Sequence, residues 1–126
     1  MQESGEMYLE TILVLSQSKP HVRSIDIAEH MGYSKPSVSR AVSKLKEDNC
    51  ISVDENGYIT FLEKGRRIAE MIYERHIVIS TFFEEIGVSS QTAVDDACRI
   101  EHVISDSSFQ AVKNVLARMK ENEAEG

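Results

Sequence analysis

From residue 3 to about residue 17 the apolar side chains Met7, Leu9, Ile12, Leu13 and Leu15 recur at helical spacing, which predicts a first helix. The segment SKPH breaks it, because Pro20 cannot continue the hydrogen-bond ladder. SIDIAEHMG predicts a second, short helix with Ser24 as its N-cap and Gly32 at its close. YSKPSVSRAVSKLKEDN predicts a third. There Ser34 is a good N-cap, Pro36 sits in the first turn where its missing N–H is not needed, and Val38, Ala41, Val42 and Leu45 face inward. Two short helices joined by so tight a turn have the spacing of a helix-turn-helix.

CISVDENGYITFL then reads as two short strands, over 51–53 and 58–61, with Glu55-Asn56-Gly57 as the hairpin connection. A hairpin directly behind a candidate recognition helix is the wing of a winged helix, and the two signals reinforce each other. From residue 62 to about residue 86 a long helical pattern buries Ile68, Met71, Ile72, Ile79, Phe82, Phe83 and Ile86, and Gly87 ends it. Two more helices are predicted, over about 89–104 and 106–121. Asp106 caps the last, whose apolar set is Phe109, Val112, Val115, Leu116 and Met119, and the tail ENEAEG is expected to fray. The chain is therefore mainly α.

Composition bounds the reading without changing it. With 126 residues, 41% of them hydrophobic and 28% charged, the chain can build a real core as one unit or as a small domain with a second element. No apolar run approaches the roughly 20 residues of a membrane span. The start, MQESGEMYLE, is too acidic and polar for a signal peptide, so a cytoplasmic protein without membrane contact is expected. Cys50 and Cys98 are far apart, which argues against a disulfide framework; each is a small buried residue or a ligand.

Charge changes the picture more. The net charge of −7 looks wrong for a nucleic-acid partner, but residues 19–46 hold six basic side chains against Asp26 and Glu29. Residues 64–76 add Lys64, Arg66, Arg67 and Arg75 against Glu70 and Glu74, whereas residues 77–126 sum to −5. Phosphate contacts need a local basic face rather than a basic total. Ser34, Lys35, Pro36, Ser37, Ser39 and Arg40 lie at the start and outer side of the third helix, where a helix-turn-helix protein meets base edges. Arg40 can engage guanine bidentately, and Lys44 and Lys46 suit phosphates. The ordinary alternative is a solvated face with routine caps.

The acidic half carries different chemistry. In DDACRIEHVISD, Cys98, Glu101 and His102 stand at i, i+3 and i+4, which on a continuous helix puts thiol, carboxyl and imidazole on one face. Those donors form part of a coordination sphere for a divalent transition metal. Met7 and Glu10, also three apart, and His76 offer further donors. Each also has a structural reading: Met7 in the core, Cys98 as a small buried residue, His102 satisfied by hydrogen bonds. His21, His30 and Cys50 lack such partners and read as surface or packing residues.

EMYLETI, DIAEHMGYSKPSVSRAVSKL and DDACRIEHVISD together resemble the diphtheria-toxin-repressor family of iron- and manganese-dependent transcriptional repressors, over nearly the whole chain. The resemblance implies a winged helix-turn-helix DNA-binding domain over 1–73 and a helical metal-binding and dimerisation domain over 74–126. It implies a homodimer on double-stranded operator DNA, controlling metal-homeostasis genes, with no enzymatic activity and no small organic substrate. In the iron-responsive branch a Met of the first helix and a Cys-x-x-Glu-His run form the primary site, roles that fall on Met7, Cys98, Glu101 and His102. The ancillary site of that branch would use His76, but Ser80 and Val94 stand at its other two positions, so a complete one is not expected. In the manganese branch an Asp replaces Met7 and a Glu replaces Cys98, while Glu10 and His76 match. The sequence is thus a hybrid. Sulfur donors favour Fe(II), which is the expected signal, with Mn(II) the alternative. Longer members continue into an SH3-like domain; with the last helix ending near Gly126, the short form without it is expected.

The implied mechanism joins ligands of the first helix to ligands of the dimerisation region, so that metal orders the chain for DNA. A metal-independent winged-helix regulator of the multidrug-resistance type would share the DNA-binding half and would not need the Cys-Glu-His set. A metal-dependent hydrolase would need a nucleophile or base beside an open pocket, and no residue pattern supplies one.

Overall fold

A computed structural model describes residues 2–125 and divides the chain into two compact units, Met1–Met71 and Ile72–Gly126. The first contains α1 (Glu3–Ser16), α2 (Ser24–Met31), α3 (Lys35–Glu47), β1 (Ile51–Val53), β2 (Ile59–Phe61) and the start of α4 (Glu63–Glu85). The second contains the rest of α4, α5 (Ser90–Ile100) and α6 (Asp106–Glu125). Among the described residues no helix is long and apolar enough to cross a membrane.

In the first unit Leu9 and Ile12 of α1, Ile27 of α2, Val38, Val42 and Leu45 of α3 and Ile51 of β1 form one buried cluster. Each fully buried aliphatic side chain contributes about 1.5–3 kcal/mol, which is what holds three short helices together. Local chemistry sets their ends. Gly32 closes α2 in the left-handed conformation, with its N–H on the Ala28 carbonyl. Ser34 caps α3 by accepting from the Ser37 N–H at 3.3 Å. At the other end of α3 Asn49 takes φ 62°, and the Asn49 and Cys50 N–H groups close back on Lys46 and Leu45. The N-cap of α2 is Arg23 rather than Ser24: the Asp26 carboxylate accepts from the Arg23 N–H at 2.8 Å, which starts the helix with Ser24 already inside.

The wing is antiparallel, with Ser52 opposite Thr60 and Val53 opposite Ile59. Asp54 fixes its turn by accepting from the Asn56 and Tyr58 N–H groups, both at 2.9 Å. Tyr58 belongs to that turn and not to the strand, so the second strand starts one residue later than the pattern predicts. The Ile59 N–H also donates to the Val22 carbonyl at 2.8 Å, a bridge that ties the wing to the entry of α2. Gly65 in the first turn of α4 has a steric reason. A Cβ there would lie 2.0 Å from the Cys50 carbonyl oxygen.

In the second unit Ile79, Ala97 and Phe109 form the buried centre, with Val78, Phe83, Ile100 and Ile104 packed on it. The apolar stripes are wider than one such unit can cover. Ile86 and Val115 are exposed, as is Met71 at the end of the first unit, although the pattern predicts burial for all three. α5 ends at Ile100, four residues short of the expected helix end: beyond it the Val103 and Ile104 N–H groups both close on the Ile100 carbonyl, and a guanidinium takes the carbonyl of Glu101. Ser105, not Asp106, caps α6 by accepting from the Ser108 N–H at 3.1 Å, since the Asp106 carboxylate is engaged by Arg75. α6 then runs to Glu125, so the tail from Glu121 to Glu125 is helical where fraying was expected.

Candidate metal centre and DNA-binding face

The outward side of α3 presents Lys35, Pro36, Ser39, Arg40 and Lys44 to solvent, opposite the buried Val38, Val42 and Leu45. Ser34 is exposed at the N-cap and Ser37 is half-buried, and their hydroxyls hydrogen-bond at 2.9 Å. Arg40 donates from Nη2 to the Ser37 Oγ at 3.3 Å, so its guanidinium is oriented along the start of the helix. Pattern reading overlooked the wing root. There His21 stacks on Tyr58 with centroids 4.1 Å apart, and Arg23 lies 4.9 Å over the other part of that aromatic pair. The Val22 bridge creates this cluster, and no local pattern announces such a bridge.

In the second unit four of the candidate metal ligands come together at the end of α5. His76 projects from α4, and its Nδ1 lies 2.8 Å from Glu101 Oε2 and 3.9 Å from the Cys98 sulfur. His102 Nε2 lies 3.4 Å from the other Glu101 oxygen. The Glu101 and His102 side chains are each 1% exposed. Cys98 is exposed, which removes its reading as a small core residue. The three-residue motif does not share one helical face, as its spacing suggests. Cys98 is helical, Glu101 is the C-cap and His102 belongs to the turn beyond.

A carboxyl group buried at a helix C-terminus faces the negative end of the macrodipole and needs a cation or donor beside it. Two imidazoles supply that here. Imidazole nitrogen, carboxylate oxygen and thiolate sulfur are also the donors that divalent transition metals select, so these residues fit such an ion. Met7 and Glu10 lie one turn apart on α1 in the first unit, both half-buried. Ser80, at a position of the family's ancillary site, donates its hydroxyl to the His76 carbonyl at 2.7 Å, and Val94 at the other position is exposed.

Known proteins resolve what this combination is. Residues 1–60 match the model of the iron dependent repressor N-terminal DNA binding domain, and residues 62–126 match the model of the iron dependent repressor metal binding and dimerisation domain. The chain belongs to the iron-dependent repressor family. It is a metal-dependent, DNA-binding transcriptional repressor of the diphtheria-toxin-repressor type. Among curated relatives, the HTH-type transcriptional regulator MntR of Oceanobacillus iheyensis is 31% identical over 121 residues, covering 96% of this chain and 82% of that protein. The MntR of Geobacillus kaustophilus is 30% identical over 120 residues, covering 95% and 85%.

Solved structures agree on the family's fold. A manganese-dependent transcriptional repressor in complex with manganese superimposes with a TM-score of 0.82 at 28% identity, covering 90% of this chain and 52% of that one. The metal-dependent transcriptional regulator MtsR gives 0.83 at 25% identity, covering 93% and 55%. The chain thus spans about half the length of both solved chains. Family members are regulators and not enzymes. The uncovered apolar side chains of the second unit, among them Ile86 and Val115, suit the dimerisation role that the family model names. Arg75 falls outside its expected role: counted in the sequence with the basic, phosphate-facing residues, it is only 7% exposed. Its place between Ile72 and Ile79 on the buried stripe of α4 was the available signal.

Proposed function

We propose that this chain is a cytoplasmic repressor whose affinity for a palindromic operator rises when Fe(II) occupies a site built from Met7, Glu10, His76, Cys98, Glu101 and His102. Residues 1–73 read DNA and residues 74–126 hold metal and form the dimer. The observation that carries this reading is Glu101, a buried carboxyl group between two imidazoles at the negative end of α5 with a thiol beside them. Stability alone would not select that arrangement, whereas metal ligation would.

When bound, the cation would supply positive charge at Glu101 and Cys98 and join ligands of α1 to those of α5. The chain's own residues do the rest. Arg40, Ser39, Ser37, Pro36, Lys35 and Ser34 meet the major groove, and Lys44 meets phosphate. Metal affinity and DNA affinity are reciprocally coupled.

The sulfur of Cys98 favours Fe(II). A second reading, Mn(II), is favoured by the similarity to a solved manganese-dependent transcriptional repressor in complex with manganese, beside curated relatives named MntR, and by Glu10 as an oxygen donor. The test is operator binding by anisotropy, anaerobically and at fixed salt, against graded Fe(II), Mn(II), Co(II), Ni(II) and Zn(II). At least a tenfold gain over chelator is expected for the native metal, about 1.4 kcal/mol of coupling. Equal affinity in chelator and in every metal would refute metal activation.

A further inference from the structure

Arg75 is a buried cation whose bonds all run to the segment that follows α5. Its Nη1 donates to the carbonyl oxygens of Glu101, at 3.2 Å, and Ile104, at 2.9 Å. Its Nη2 engages the Asp106 carboxylate at the start of α6, and the guanidinium lies 5.6 Å over the Phe109 ring. Its Nε is buried with no hydrogen-bond partner among the described residues.

A buried ion pair is a weak device for stability, because desolvation cancels most of the attraction. Asp106, moreover, is 95% exposed and so screened by water. Leaving Nε unmet adds a further cost. The geometry is better explained by what the fork holds. Glu101 and Ile104 bracket residues 101–104, the turn beyond the helix end that carries the Glu101 and His102 side chains.

Ligands on a helix are fixed by the helix. Ligands on a turn need another constraint to reach the precision coordination requires. We infer that Arg75 is the positioning residue of the metal centre: its guanidinium clamps the turn between α5 and α6 and so sets where Glu101 and His102 present their donor atoms. The inference rests on the metal-site reading above. Its specificity comes from the planar fork, which grips two carbonyls and a carboxylate together in a way an ammonium cannot.

The experiment titrates the full chain with Co(II), following ligand-field bands and thiolate-to-cobalt absorption, at a temperature where circular dichroism shows each metal-free variant folded. Arg75→Lys and Arg75→Gln are compared with Lys113→Ala, which removes a different α4–α6 tie, the 3.0 Å pair with Glu74, and leaves the turn untouched. Arg75→Lys, which keeps the charge, is expected to weaken Co(II) binding by about tenfold or more and to alter the ligand-field spectrum, as loss of an orienting partner does. Lys113→Ala is expected to match wild type. A folded Arg75→Lys with wild-type affinity and spectrum overturns the inference, as does an equal loss in Lys113→Ala.

If neither Arg75 variant folds, Asp106→Ala decides, since it removes the contact that holds the guanidinium from beyond the turn and so frees the fork to leave the two carbonyls. A weakened and spectrally altered site supports the clamp, and an unchanged one overturns it. Absence of Co(II) binding in wild type, or binding that survives His102→Ala unchanged, removes the metal-site reading itself, and the inference falls with it.

Discussion

Replacing Gly65 with alanine tests how tightly α4 is seated against the end of the DNA-binding unit. The added Cβ would meet three backbone atoms of Cys50, the oxygen at 2.0 Å, the carbonyl carbon at 2.8 Å and Cα at 3.1 Å. No rotamer relieves a clash with backbone. Real Cβ contacts essentially never fall under 3.0 Å, so the helix start or the Cys50 segment must move by about 1 Å. The same Cys50 oxygen accepts from the Leu62 N–H at 3.0 Å, and moving it weakens a bond worth about 1 kcal/mol. Overpacking adds about 1–3 kcal/mol, and the better helix propensity of alanine returns about 1 kcal/mol. With a backbone contact this short the net lies toward the upper end, roughly 2–3 kcal/mol of destabilisation. For a unit of this size that is a fall in Tm of roughly 10–20 °C. Thermal melts by circular dichroism, in chelator so that metal does not shift the midpoint, measure it directly. A Tm unchanged or raised would mean that helix propensity wins and that glycine is not required at this seat.

Other expectations are smaller or more local. Arg40→Ala should cost roughly 1–3 kcal/mol on operator DNA and less on random DNA; equal losses would demote Arg40 to a phosphate contact. Burial in the core pushes the Cys50 thiol pKa up. The folded chain therefore keeps that proton longer than the unfolded chain, and stability should fall as pH rises above the ordinary thiol value of about 8.5. Cys50→Ala should flatten that alkaline slope in urea titrations, and a slope it leaves untouched belongs to another group. Met7→Asp with Cys98→Glu, which swaps sulfur donors for oxygen, should move half-activation of operator binding from Fe(II) toward Mn(II). A wild type that responds equally to both metals, with no shift in the double variant, ends the preference for iron.

The DNA-binding half was legible because its determinants are local. Gly32 and Ser34 supply turn and cap within three residues of each other, Asn56-Gly57 marks the hairpin, and the inward positions of α3 follow the helical period. The errors there are those of choice between adjacent groups. Ser24 and Asp26 can both cap α2, and the carboxylate wins by reaching back to the Arg23 N–H. At α6 the choice was made from a distance: Arg75, 31 residues upstream, takes the Asp106 carboxylate and leaves the cap to Ser105. The Val22–Ile59 bridge, 37 residues apart, has no local signature.

The candidate metal centre was legible as chemistry and not as shape. Residue types told which atoms could ligate, and an i, i+3, i+4 spacing supplied a geometry by assuming an uninterrupted helix. No Gly or Pro stands near residue 100 to contradict that assumption. The interruption comes where the Val103 N–H turns back to the Ile100 carbonyl, and Arg75 holds the turn that follows by its bond to the Glu101 carbonyl. The donors still converge, because the turn keeps Glu101 in helical conformation for one more residue, φ −57° and ψ −27°, before the path leaves the axis. Leaving the helix at that point has a chemical consequence. It buries Glu101 at the electronegative end of α5, where its own backbone opposes an anion and a cation is favoured. A ligand set on the middle of a helix face would lack that bias. The departure from the expected helix therefore strengthens the case for metal at this position.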